Sequence, residues 1–273
     1  MEPNFRLDKK VTLMTGATGG IGHDCCLALA ALGSDMGILH YKDQENAQKL
    51  AEEIRRLGRK AYIIDQDLER TDDLHGVVER FAKEAGRIDI LVNCAGVADI
   101  IKYQDVTPAL MERTYRINTM AAFFLAQKAA EYMIDQGAGG RVINVTSTNS
   151  LVAEANLVPY NTSKGGVELM TQSLAIELAP HAITVNNVAP GLVKTEIVEL
   201  TDSFWEQARY NIPLGRAGEA REVAAAICFL ASPAASYITG QHIVVDGGLI
   251  CEQFPGLRDQ ADEMPPEHRS GRN

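Results

Sequence analysis

Short apolar runs alternate with helix-period segments along this chain, and that alternation constrains its fold more than any other feature. Val11–Thr15 and residues 36–40, 61–64, 88–93, 141–146, 183–188 and 242–246 are seven short, nearly continuous apolar runs. Between them lie segments at helical spacing: residues 20–32, 44–57, 71–85, 108–136, 159–179 and 220–230. In residues 44–57, Ala47, Leu50, Ala51, Ile54 and Leu57 share one face, and Gly58 stands where a helix ends. Thr71 is placed to cap the third helix, and the segment 108–136 is expected to break near Arg116. Strand–helix–strand units repeated without interruption build a parallel sheet with helices on both faces. The fold class expected is therefore α/β: one doubly wound, seven-stranded parallel sheet in a single domain over residues 1–252. Residues 253–273 are rich in charge, Pro and Gly, with Pro265–Pro266 blocking a helix, and read as a partly disordered tail.

Charge and cysteine content exclude several classes of partner. Lys plus Arg number 26 against 36 Asp plus Glu, a formal charge of −10. That balance argues against nucleic acid and anionic membrane, which call for a basic patch. No apolar run approaches the roughly 20 residues needed to span a bilayer, and the first ten residues lack the apolar core of a secretory signal. The five cysteines show no metal-type spacing, so they read as reduced thiols in the cytoplasm, with no metal site.

Between the first strand and first helix lies Thr15-Gly16-Ala17-Thr18-Gly19-Gly20-Ile21-Gly22. Glycines let the backbone approach a pyrophosphate, and a helix N-terminus offers free N–H groups and partial positive charge. Farther on, Tyr160 and Lys164 stand at i and i+4, on one face of one helix. A free tyrosine titrates near ~10, and a neighbouring ammonium favours its phenolate. Ser147 ends a strand, where ligands gather in open α/β sheets.

In these residues the chain resembles the classical short-chain dehydrogenases/reductases over about residues 6–250. Thr15–Gly22 matches their TGxxxGxG turn, and Asn93-Cys94-Ala95-Gly96 their NNAG segment. Ser147, Tyr160 and Lys164 match their Ser…Tyr-x-x-x-Lys set, with Asn118 at the fourth catalytic position. Pro190-Gly191 with Thr195 matches PGxxxT, and Asp246-Gly247-Gly248 the close of the last strand. The resemblance implies a Rossmann domain holding a nicotinamide dinucleotide. It implies Tyr160 as general base/acid, Ser147 as hydrogen-bond partner of the reacting oxygen, and Asn118 as holder of a water that links Lys164 to solvent. It places the cofactor on Gly16, Thr18, Gly19, Gly20, Ile21 and Gly22, on Asp67-Leu68 at the adenine, and on Asn93, Ala95 and Gly96. It adds Tyr160 and Lys164 beside the nicotinamide, with Pro190, Gly191, Val193 and Thr195. Cys94 and Ala182 depart from the family's usual Asn and Gly. The resemblance also implies a homotetramer built on the two long helices. Ala121, Ala122, Phe123, Val167 and Met170 suit such packing or equally face the sheet.

Cofactor choice turns on the end of the second strand. Tyr41 stands where NAD-specific members carry a carboxylate, and Lys42 follows where NADP users often carry a basic residue. The glycine turn lacks a second basic residue, so dual use of NADP and NAD, leaning to NADP, is expected. Substrate contacts are expected from Ser147, Asn149, Glu154, Asn156 and Tyr160. The amides and carboxylate suit sugar hydroxyls. Phe204, Trp205 and Tyr210 read as a lid. The pattern over residues 140–250 resembles glucose 1-dehydrogenase-like sugar dehydrogenases. A 3-oxoacyl-carrier-protein reductase is the alternative reading, with Arg209, Arg216 and Arg221 as its basic patch. A nucleotide-sensing regulator without turnover is a remote third.

Overall fold

A computed structural model of the chain describes residues 4–194 and 201–252. All seven expected strands form: β1 (Val11–Thr15), β2 (Asp35–His40), β3 (Ala61–Asp65), β4 (Ile90–Asn93), β5 (Gly140–Val145), β6 (Ile183–Pro190) and, last in the chain, β9 (His242–Val245). They make one sheet in the order β3-β2-β1-β4-β5-β6-β9, with every neighbouring pair parallel. The connection reverses direction between β1 and β4. In such a sheet the crevice for a ligand opens there, beyond the strands' carboxyl ends.

Successive strand residues point to opposite faces, so each strand feeds two cores. Met14, Ile38, Val92 and Ile143 pack with Cys25, Leu29 and Ile227 on one face. Leu13, Leu39, Leu91 and Val142 pack with Phe81 and Leu125 on the other. The first layer is built on α1 (Gly20–Ala31), α2 (Gln44–Arg56) and α8 (Ala220–Ala231). The second is built on α3 (Leu74–Ala85) and α5 (Ala121–Gln136), with α6 (Val158–Leu178) alongside.

Several boundaries differ from the sequence pattern for identifiable reasons. Leu57 stays 47% exposed because α2 ends at Arg56 and Gly58 takes the left-handed turn at φ 77°. Thr71 is buried and opens a short 3₁₀ turn, Thr71–Asp73, so it does not cap α3. β4 begins at Ile90 because Asp89 is buried as an anchor: its carboxylate accepts from the Val11 amide (3.0 Å), Lys10 (3.0 Å) and Arg87 (2.6 Å). The break near Arg116 is a five-residue π turn, Arg116–Met120, between α4 (Pro108–Tyr115) and α5. The pattern did not show the two-residue strands β7 (Val193–Lys194) and β8 (Gly218–Glu219), which pair with each other and are too short to carry a period.

Ala182, just before β6, sits in the left-handed region at φ 58°. Glycine relieves the steric strain an alanine bears there, less its greater entropy when unfolded. Ala182→Gly is expected to stabilise the chain by about 0.5–1 kcal/mol. A lowered denaturation midpoint in urea would contradict it.

Candidate active site

The carboxyl edge of β1 passes through the turn of residues 16–19 into α1, and Gly19 at the N-cap offers no side chain to the first-turn amides. Those amides are left for a ligand. The turn is built backbone on backbone. A Cβ on Gly22 would lie 2.1 Å from the Gly16 carbonyl oxygen, and one on Gly16 2.9 Å from Ala95 Cα. The result is a cleft of about 450 Å³ lined by Gly16, Gly19, Gly20, Ile21 and Gly22 at one end and Tyr160, Lys164, Pro190, Gly191 and Val193 at the other. Ala95 and Gly96 form its floor. A dinucleotide fits this donor set: free amides for phosphates and a long groove along the strand ends.

Other residues expected at the cofactor stand outside that wall. Thr18 is half-buried on the turn. Asn93 is buried behind the floor, donating to Asn144 Oδ1 (2.9 Å). Leu68 is a core residue at 8% exposure, and Asp67 accepts from the Glu69 amide (3.0 Å), a local turn. Thr195 lies outside the described residues. Tyr41 and Lys42 are at the β2 end, where the ammonium stands 4.8 Å over the Tyr41 ring. Lys42 is held at φ 52° by a hydrogen bond from its amide to Asp65 Oδ1 (3.1 Å). Asp65 comes from β3, so this carboxylate beside Lys42 is invisible in the β2 sequence. The hydrogen bond to Tyr41, and then Asp67 and Asp65 nearby, raise the lysine's pKa.

Ser147, Tyr160 and Lys164 converge at the far end of the cleft. Burial raises the Tyr160 pKa, and a hydrogen bond with Ser147 opposes it. Sequence reasoning expected Lys164 to draw the phenol down. Here its ammonium stands 5.8 Å from the Tyr160 ring centre, donates to the Val145 carbonyl (2.9 Å), and is itself pushed down to about 8 by burial. Asn118 lies in the π turn, which aims its amide at the main chain: Oδ1 accepts from the Val97 amide (2.8 Å), and Nδ2 donates to the Val97 carbonyl (2.9 Å) and to Ser163 (3.0 Å). Both donors are engaged and one acceptor site remains. Asn118 and Lys164 meet across Gly96, where an added Cβ would lie 3.4 Å and 3.3 Å from them. They also line a small, partly open cavity of about 10 Å³, room for a single water. The non-family Cys94 lines the cleft with its thiol pushed up to about 11 by burial, so it stays protonated at neutral pH.

A second cavity of about 890 Å³ shares Ser147, Gly191 and Leu192 with the first. Asn149 and Glu154 line it; Asn156 does not. Asn156 takes φ 62°, which asparagine tolerates, and its carbonyl accepts from the Ile101 amide (2.8 Å), so it shapes the loop instead. Asn149 is tied to Asn161 (2.9 Å), and its amide donates to Ser147 Oγ (3.1 Å). Phe204, Ala208, Asn211 and Ile212 reach the cavity from α7 (Asp202–Asn211) and its end. Trp205 packs edge-on against Phe204, outside the wall. Sequence reasoning missed the segment 249–252 as a wall. Asp246 builds it, accepting from the Gly248 (2.8 Å) and Ile250 (2.9 Å) amides. The wall is more apolar than the sequence suggested, with Val152, Phe204, Ile212, Leu249 and Ile250 among its residues.

Behind the site runs a buried polar ladder. Asn93, Asn144, Asn187 and His242 are in register on four neighbouring strands. Thr171 bridges Asn144 (2.8 Å) to Asn187 (2.6 Å), and Glu168 accepts from Asn187 (2.9 Å) and pairs with His242. Both bridging residues lie on α6, so the ladder fixes the helix that carries Tyr160 and Lys164.

Fold and site together define a dinucleotide-type oxidoreductase. A family model described as enoyl-(acyl carrier protein) reductase matches residues 16–250. An L-rhamnose 1-dehydrogenase (NAD(P)(+)) of Sphingomonas sp. (strain SKA58) is 35% identical over 246 residues, covering 89% of this chain and 97% of the relative. A gluconate 5-dehydrogenase of Burkholderia cenocepacia J2315, solved with NADP and tartrate, superposes with a TM-score of 0.86 at 32% identity, covering 92% and 98% of the two chains. Acetoin dehydrogenase YohF of Salmonella typhimurium superposes at 0.84 and 35%, covering 90% and 98%. The chain belongs to the short-chain dehydrogenase/reductase family.

Proposed function

We propose that this protein is an NAD(P)-dependent dehydrogenase that oxidises a hydroxyl of a sugar or sugar derivative, of the aldose 1-dehydrogenase type. The observation that carries the reading is the junction of two cavities at Ser147, Gly191 and Leu192. A hydroxyl entering from the larger cavity meets Ser147 and Tyr160 at the end of the groove that fits a dinucleotide. The 35% identical rhamnose dehydrogenase supports the choice of substrate class.

In this mechanism Ser147 hydrogen-bonds the reacting oxygen and Tyr160 takes its proton, or returns it in reduction. The nicotinamide, when bound, supplies the hydride acceptor or donor. Asn118 holds one water through its remaining acceptor site and links Lys164 to solvent. Cofactor contacts at Thr18, Tyr41, Lys42, Asp67 and Leu68 extend the groove toward the adenosine, Thr195 belongs to the nicotinamide end, and Asn93 supports the floor from behind. The carrier-protein alternative needs free cations at the rim. Arg216 is paired with Glu222 (2.6 Å) and Arg221 with Glu219 (2.5 Å), which neutralises two of the three arginines expected there and leaves Arg209 exposed on α7.

Residues 1–252 form one domain holding both sites. Both NADP and NAD serve, with NADP preferred. A homotetramer is assembled on α5 and α6. Ala121, Ala122 and Val167 are buried and Phe123 and Met170 half-buried, so the exposed Leu169 (67%), Ile176 (77%) and Met120 join Phe123 and Met170 as apolar positions for that contact. Unpaired thiols fit a cytoplasmic setting. Among the described residues no helix is long and apolar enough to cross a membrane.

Initial rates at 340 nm with a panel of aldoses and each oxidised cofactor, against an acetoacetyl thioester with each reduced one, test the reading. Silent sugars with thioester reduction would overturn it. Lys42→Ala is expected to lower the NADP-to-NAD ratio of kcat/KM about tenfold, and Asp65→Asn to raise it several-fold, by removing one charge of each sign at the ribose. An unchanged ratio in both variants would remove Lys42 from 2′-phosphate recognition.

A further inference from the structure

Tyr160 heads a file of side chains that all donate in one direction, and that direction is fixed from the far end. The main-chain carbonyl of Glu154 can only accept, so Asn161 turns Nδ2 to it (2.8 Å) and leaves Oδ1 for its other neighbour. Asn149 donates Nδ2 to that oxygen (2.9 Å), which leaves its own Oδ1 facing the Ser147 hydroxyl. Ser147 Oγ accepts from the Asn149 amide (3.1 Å) and gives its single proton to Asn149 Oδ1 (3.3 Å). Its second lone pair is left for Tyr160, to which it is hydrogen-bonded. We infer that Asn149 and Asn161 are positioning residues for the acid–base step: they draw the Ser147 proton away from Tyr160 and so hold the tyrosine in its proton-donating form. The inference rests on the dehydrogenase reading above and deepens it.

The serine has one proton and two acceptors within reach. While Tyr160 is a phenol it donates to Ser147, Ser147 donates to Asn149, and every member of the file is satisfied. Hydrogen bonds aligned donor to acceptor in this way polarise and strengthen one another. A phenolate at Tyr160 needs the same proton, so Ser147 must turn and leave Asn149 Oδ1 without its donor. The file therefore favours the phenol, which protonates a carbonyl, over the phenolate that oxidation requires. Asn161 lines neither cavity, so it reaches the reaction through Asn149 and Ser147. The other titratable groups around the phenol are Lys164 and Cys94 in the cleft and Glu154, Cys251 and Glu252 on the wall of the adjoining cavity. Neither asparagine titrates, so those groups are the same in every variant below.

The test titrates Tyr160 in protein holding saturating oxidised cofactor, read from the NMR signal of tyrosine isotope-labelled at Cζ and assigned by Tyr160→Phe. Asn149→Ala is expected to lower the midpoint by about half a pH unit to one unit, the size of one hydrogen bond. Asn161→Ala is expected to lower it by less, since Asn149 stays and loses only its anchor. Ser147→Ala is expected to raise it, and Ser147→Ala/Asn149→Ala to match Ser147→Ala alone, because Asn149 acts through the serine. The midpoint of the oxidation rate should move with the signal, so that oxidation below it speeds up about three- to tenfold in Asn149→Ala. A midpoint unmoved in both asparagine variants, or an Asn149→Ala shift that survives the loss of Ser147, overturns the inference. So does a raised KM for the alcohol with no shift, which would make Asn149 a substrate contact. Silent sugars overturn the sugar reading alone, since the tyrosine signal titrates without substrate.

Discussion

Tyr160→Phe is expected to lower turnover by about a thousandfold, within the usual range for losing a positioned acid–base group. Phe keeps the ring and its packing and removes only the oxygen, so nucleotide affinity should stay within about threefold and the denaturation midpoint near wild type. The phenol is held protonated by burial, and the hydrogen bond with Ser147 draws it back down. Oxidation needs the phenolate, so its rate should climb with pH; reduction needs the phenol, so its rate should fall. Ser147→Ala removes the opposing hydrogen bond and should move the oxidation profile to higher pH. Turnover by Tyr160→Phe within tenfold of wild type would sink the mechanism.

The second large effect is on stability. Lys164 is 4% exposed, and burial lowers its pKa from the ordinary 10.5 to about 8. Below pH 8 both the folded and unfolded chains carry the proton, and folding must bury a charge. Between 8 and 10.5 the unfolded chain still holds a proton that the folded chain has lost, so rising pH favours folding. Wild type should therefore gain about 3 kcal/mol on Lys164→Met across that window, at about 1.4 kcal/mol per pKa unit. The variant should also lose most turnover. Urea denaturation of both proteins at several pH values from 7 to 11 reads the difference directly. Parallel stability curves would show that the lysine's pKa is not depressed in the folded state.

Local chemistry was enough to read much of this protein. Apolar runs of four to six residues and helix-period stretches are local properties, and they mark all seven strands of the sheet and the break at the π turn. The glycine turn and the Tyr160–Lys164 pair are local too, since one is contiguous and the other spans a single helical turn. What only the tertiary structure decided lies in pairings across the chain. Asp65 reaches Lys42 from a neighbouring strand, and residues 249–252 close the substrate cavity against residues 147–154. Asn93, Asn144, Asn187 and His242 meet only because parallel register aligns four strands. Burial raises the Tyr160 pKa and lowers that of Lys164, the reverse of what a neighbouring ammonium alone would do to the phenol. Periodicity records which face of an element is apolar, but register, burial and cavity walls arise from packing between elements distant in sequence, and no local pattern encodes them.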